Sequence, residues 1–152
     1  MTSAVTSDLP EDSAAAVQDA LGAEHAAMWA YGLVTAFMSD ELDEAVRTAT
    51  SMHRARRDVT ELLLADAGQT PRPAEPAYVP ATPVTDQAGA IAVLVVAESD
   101  ATVAWRAVLD RTDDAALRKT ALESLTGSAV QAAKWRRVVG TAPATPALPG
   151  QP

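Results

Sequence analysis

The sequence predicts an all-α protein folded as an antiparallel four-helix bundle, and two observations carry that prediction. All ten prolines fall in three places: Pro10, the stretch from Pro71 to Pro83, and the tail from Pro143 to Pro152. Proline breaks helix interiors, so the proline-free spans 11–70 and 84–142 are the candidate helical regions, each long enough for two helices. Alanine, the strongest helix former, is abundant throughout.

In the first span, Asp8 and Glu11 are spaced as a capping box, with Pro10 acceptable in the first turn. Helix 1 is expected over about 10–38. Ser39 or Asp40 can cap helix 2, with Glu41, Asp43 and Glu44 favourable in its first turn. It should end near Ala67, with Gly68 just past the end. In the second span, Thr82 or Thr85 can cap helix 3, which runs to about Leu109. Thr112 with Asp113 and Asp114 opens helix 4, which runs to about Val139 and stops at Gly140. Two regions follow: a bundle over 1–140 and a disordered Pro/Ala-rich tail over 141–152.

The connection from Gly68 to Pro83 decides the topology. It has 16 residues, five of them proline. Polyproline-like chain rises about 3.1 Å per residue, so the segment reaches roughly 50 Å. A helix of about 28 residues is roughly 42 Å long. The segment can therefore cross the whole bundle, as the long connection of ferritin-like folds does. The other reading is a loose linker between two hairpins packed up-down-up-down.

Composition bounds the function. The chain's 152 residues suit one domain, and a domain of that size buries roughly 70% of its unfolded surface. The absence of cysteine excludes disulfides, thiolate catalysis and sulfur-based zinc sites. A net charge of −8 gives no electrostatic footprint for nucleic acid or anionic lipid. Met1 to Asp12 hold neither a basic residue nor an apolar run, so no secretory signal is expected. The apolar run Ala90–Ala97 is too short to span a bilayer. The expected location is the cytoplasm, and the expected partner is a second copy of the chain or another protein, with no nucleic acid and no membrane. A Gly-rich phosphate loop is absent.

Steps of three and four residues along helix 1 give the stripe Val17, Leu21, Glu24, Met28, Tyr31, Thr35, Met38, with Glu24 inside it. Helix 3 gives Val84, Ala88, Ile91, Val95, Glu98, Thr102, Trp105, Leu109, with Glu98 in the middle. Helix 2 gives Leu42, Val46, Ala49, His53, Arg56, Thr60, Leu63, centred on His53. Helix 4 gives Leu117, Ala121, Ser124, Ser128, Gln131, Trp135, Val138, with no carboxylate or imidazole at mid-height. Glu24, His53 and Glu98 can thus face one another inside the bundle.

A buried carboxylate needs compensation worth several kcal/mol, and two sources are open. The first is a metal ion, iron, manganese or zinc, held by Glu24, His53 and Glu98. Di-iron carboxylate bundles place one Glu on each of two helices and Glu-x-x-His on the other two. Here Thr50 stands three residues before His53, and helix 4 has no such motif. His25 points about 100° away from Glu24 and reaches the site only if helix 1 is rotated. The second source is arginine, with no metal bound. Arg56 or Arg57, within Met52-His53-Arg54-Ala55-Arg56-Arg57-Asp58, can pair with Glu24 or Glu98, and Arg106 and Arg136 can add to the network. Trp29, Trp105 and Trp135 are expected in the core; their alternatives are a bound organic cofactor or a stacked Arg.

The segments Ala23-Glu24-His25-Ala26-Ala27-Met28-Trp29-Ala30-Tyr31-Gly32, His53-Arg54-Ala55-Arg56-Arg57-Asp58, Pro76-Ala77-Tyr78-Val79-Pro80 and Ala104-Trp105-Arg106 resemble an actinobacterial ferritin-like domain family of unknown function, over about residues 13–140. The resemblance implies a ferritin-like four-helix fold and brings no established activity. Against metal-active ferritin-like proteins the chain matches at Glu24, His53 and Glu98. It departs at Thr50 and along helix 4.

Overall fold

The computed structural model describes residues 9–151, and among them there are four long helices and no strand. They are α1 (Glu11–Val34), α2 (Asp43–Asp66), α3 (Gln87–Arg111) and α4 (Ala115–Val138). Short 3₁₀ turns, Thr35–Phe37 and Asp40–Leu42, close the α1–α2 hairpin.

Asp8 lies outside the described residues. Pro10 is the residue before α1, and its carbonyl accepts from Ala14 N at 2.8 Å. Ser39 precedes a 3₁₀ turn without a side-chain cap, and α2 proper starts three residues after Asp40. Gly68 at φ +73° and Gly140 at φ +70° follow the ends of α2 and α4 in the left-handed conformation that glycine adopts without strain. The cap of α3 is Asp86, whose carboxylate accepts from Gly89 N at 2.8 Å, and not Thr82 or Thr85. Those threonines belong to the extended connection, which therefore runs further than expected. Asp114 caps α4, accepting from Leu117 N at 2.7 Å, while the Thr112 hydroxyl accepts from Asp114 N at 3.2 Å.

α1 and α3 form the middle pair of the bundle. α1 packs against α2 and α3, and α3 packs against α4. Contacts between α1 and α3 run in opposite order along the two chains: Ser13 with Arg111, Glu24 with Trp105, Tyr31 with Glu98. α1 and α3 are thus antiparallel neighbours. An up-down-up-down bundle would have made them parallel and diagonal. The Pro-rich segment must therefore cross the full length of the bundle, and it does so along α1. Gln18 Nε2 donates to Thr70 O at 2.8 Å and Gln18 Oε1 accepts from Arg72 N at 2.8 Å. The rings of Trp29 and Tyr78 lie 5.9 Å apart, and Ser39 N donates to Gln87 Oε1 at 2.8 Å.

The core is two apolar clusters with a polar layer between them. One contains Tyr31, Val34, Val46, Ile91, Leu94 and Trp135; the other contains Val17, Leu21, Leu64, Trp105, Val108 and Leu117. Burying each Leu or Ile here contributes about 2 kcal/mol. α3 is long and apolar enough to cross a membrane by length and composition, but Ile91, Leu94 and Trp105 spend that apolarity on the bundle core. Residues 141–151, read from sequence as a disordered tail, carry no helix; there Arg136 Nη1 donates to Ala144 O at 3.3 Å and Gly150 lies against Thr102 and Arg106.

Candidate functional site

α1, α2 and α3 bring Glu24, His53 and Glu98 together at mid-height, each fully buried. His53 Nδ1 lies 2.6 Å from Glu24 Oε2, and its Nε2 lies 3.0 Å from Glu98 Oε1. Neighbouring side chains complete the layer. Trp105 Nε1 donates to Glu24 Oε1 at 2.7 Å and Tyr31 OH donates to Glu98 Oε1 at 2.6 Å. Trp135 Nε1 donates to Tyr31 OH at 2.7 Å. Arg56 Nη1 donates to Ser128 Oγ at 2.8 Å and sits 3.7 Å from Glu24 Oε1.

An imidazole flanked by two carboxylates donates from both nitrogens when it is protonated. Burial opposes that charge, yet the hydrogen bonds and charges of Glu24 and Glu98 outweigh burial, and the His53 pKa is pushed up from 6.5 to about 9. The layer then holds two carboxylates, one imidazolium and one guanidinium, and its charges cancel. Burial, followed by the charge of Glu98 and the hydrogen bond to it, raises the Tyr31 phenol well above its usual range, so Tyr31 stays a neutral donor. Among the described residues, Glu98 Oε2 is the single buried side-chain atom with no hydrogen-bond partner.

The arrangement separates the residues expected from sequence. Arg56 reaches the core, but Arg57 does not. One residue further on, it is turned about 100° around the helix and bonds to Asp58 Oδ1 at 2.9 and 2.6 Å. Arg106 pairs with Asp110 at 3.1 Å, and Arg136 donates to Ser99 Oγ at 3.2 Å, so neither joins the layer. His25 faces the crossover, with Nε2 3.1 Å from Arg72 O. Thr50 donates to Val46 O at 2.7 Å within its own helix. Trp105 and Trp135 are buried as expected, while Trp29 is half-buried beneath Tyr78.

The reading from sequence gave no role to the donors on Tyr31, Trp105 and Trp135, to the acceptor Ser128, or to Gly127. A signal existed: a buried indole or phenol needs a hydrogen-bond partner, and all three aromatics share helices with the buried acids or face them. Gly127 is the other half of the Arg56 seat, because a Cβ there would overlap the Arg56 guanidinium.

As arranged here, these side chains satisfy one another. A ligating histidine must offer a free lone pair, but both ring nitrogens of His53 are engaged with carboxylates. Both oxygens of Glu24 and one of Glu98 already accept protein hydrogen bonds. Among the described residues, no group of three or more His, Asp or Glu is placed to hold an ion.

A family model described as "Domain of unknown function (DUF4439)" matches residues 16–152. No curated protein matches the chain. The fold is similar to the crystal structure of a conserved hypothetical protein, rv2844, from Mycobacterium tuberculosis, with 36% identity and a TM-score of 0.83, covering 86% of this chain and 99% of that one.

Proposed function

We propose that this chain, which belongs to the Domain of unknown function (DUF4439) family, is a metal-free, ferritin-like, non-catalytic bundle that acts as an interaction or structural module. The topology supports the ferritin-like part: two antiparallel hairpins joined by one full-length crossover is the connection such bundles use. The observation that carries the metal-free part is His53, held at both nitrogens by Glu24 and Glu98. With Arg56 beside Glu24, the layer balances its own charge and supplies from side chains the positive charge that a metal would otherwise bring. Such a core rigidifies the bundle and leaves function to its surface. A net charge of −8 argues against nucleic acid and anionic membranes as partners. Another protein or a second copy of the chain, in the cytoplasm, is the partner class that remains.

Elemental analysis tests the reading. The protein is expressed with iron, manganese and zinc supplied, beside a Glu24→Ala/Glu98→Ala double variant. The expected result is no stoichiometric metal and no rise in melting temperature when metal is added. About one ion per chain, lost in the double variant, would overturn the reading and make this a metalloprotein.

A further inference from the structure

We propose that the cleft between α2 and α4 binds a small organic monocarboxylate, its head on Arg56 and its apolar body against Ala55 and Val59. The cleft has a volume of about 330 Å³, with Arg56, Val59 and Thr60 on the α2 side, Thr120 and Ser124 on the α4 side, and Trp105 reaching it from α3. Small-molecule sites begin at about 300 Å³.

Three features of this cleft point to a ligand. First, Arg56 has unused donors. Its side chain is only 12% exposed, yet a guanidinium with about five N–H groups makes one hydrogen bond, to Ser128 Oγ; Glu24 at 3.7 Å is beyond that range. Among the described residues the only fully buried side-chain atom without a partner is Glu98 Oε2. The free N–H groups of Arg56 therefore remain accessible, and Arg56 lines this cleft.

Second, the helix breaks a local rule to seat that guanidinium. Glycine inside a helix costs about 1 kcal/mol against alanine. Gly127 tolerates this cost where a Cβ would overlap Arg56. Departures of this kind cluster at functional sites.

Third, the lining sets the ligand class. One guanidinium matches one carboxylate in its planar fork. Glu24 behind it and Glu123 at the rim disfavour a dianion such as phosphate. Glu123, largely exposed, is offset by Lys119 at 3.8 Å. The hydroxyls of Thr120 and Ser124 supply further polar contacts, and Ala55 and Val59 supply apolar ones.

The inference rests on the reading of Arg56 as part of a metal-free core, and the test keeps the two apart. Benzoate and octanoate are titrated into the full, chelator-treated chain by calorimetry and protein NMR, beside benzyl alcohol, 1-octanol and inorganic phosphate. The variants are Arg56→Gln, which removes the head contact, and Thr120→Trp, which fills the cleft without touching the polar layer. A carboxylate is expected to bind saturably in the millimolar range, with its alcohol and phosphate about tenfold weaker and each variant reduced by about tenfold or more. Unchanged His53 imidazole signals in Thr120→Trp show that the layer is intact, so a loss of binding there belongs to the cleft. No saturable carboxylate binding up to about 10 mM, an alcohol or phosphate binding as tightly as a carboxylate, or full binding by Thr120→Trp would each overturn the proposal. A failed core reading would show itself separately, as metal in untreated protein.

Discussion

Raising the pH through the titration of His53 should weaken the fold. In the unfolded chain His53 titrates near 6.5, and in the bundle it is pushed up to about 9 by Glu24 and Glu98 against the cost of burial. A group with a raised folded pKa contributes stability that is fully present below its unfolded pKa and is lost as pH rises through its folded pKa. The window is therefore pH 6.5 to about 9. At about 1.4 kcal/mol per pKa unit, the loss across it is about 3 kcal/mol. That is a large part of a typical stability of about 5–15 kcal/mol. Tyr31, also raised, acts only above the usual phenol value of 10.0 and stays outside this window. Urea unfolding at several pH values between 6 and 9.5 reads the slope, with His53→Gln as the control that lacks it, and NMR of the imidazole gives the titration directly. A stability that is flat or rising across this range in the wild type, or the same slope in His53→Gln, would refute a doubly hydrogen-bonded imidazolium in the core.

Further outcomes follow from the same contacts. Glu24→Ala strands the donors of His53 and Trp105 and the charge of Arg56, so urea unfolding should show a loss of about 3–5 kcal/mol, and a loss under about 1 kcal/mol would remove the buried network. Gly127→Ala should destabilise the wild type, because its Cβ displaces Arg56, but should stabilise an Arg56→Ala background by up to about 1 kcal/mol. A double-mutant cycle checks this sign reversal. Trp29→Ala removes the aromatic contact that holds Tyr78; it should cost about 1 kcal/mol or more and speed proteolysis in the Pro-rich crossover while leaving the helices protected from hydrogen exchange.

Much of the bundle was legible because its signals are local. Proline excludes helix interiors wherever it stands, so the proline map alone separated two helical spans from one long connection and a tail. Helical periodicity then set the rotation of α1 and α3. Of the stripes drawn through Glu24 and Glu98, Val17, Leu21, Glu24 and Tyr31 on α1 and Ile91, Glu98, Thr102 and Trp105 on α3 are buried, while Thr35 and Ala88 are exposed. The caps are less legible. Thr85 and Asp86 offer similar chemistry one residue apart, and only the path of the crossover selects Asp86.

The polar layer was legible as a set of charged residues but not as a set of bonds. The sequence itself determined that two acids and one histidine lie on inward faces, because burial follows from a 3.6-residue period. Which partner satisfies which atom was decided by tertiary structure alone. Arg56 and Arg57 are equivalent in composition. Yet only Arg56 faces α4, where Gly127 leaves room for its guanidinium and Ser128 accepts from it. Likewise, the antiparallel pairing of α1 with α3 brings Trp105 to Glu24 and Tyr31 to Glu98 across separations of 81 and 67 residues. Hydrogen bonds are fixed by distances of a few tenths of an ångström and by direction. Such precision comes from the packing of four helices together, and no pattern along one helix contains it.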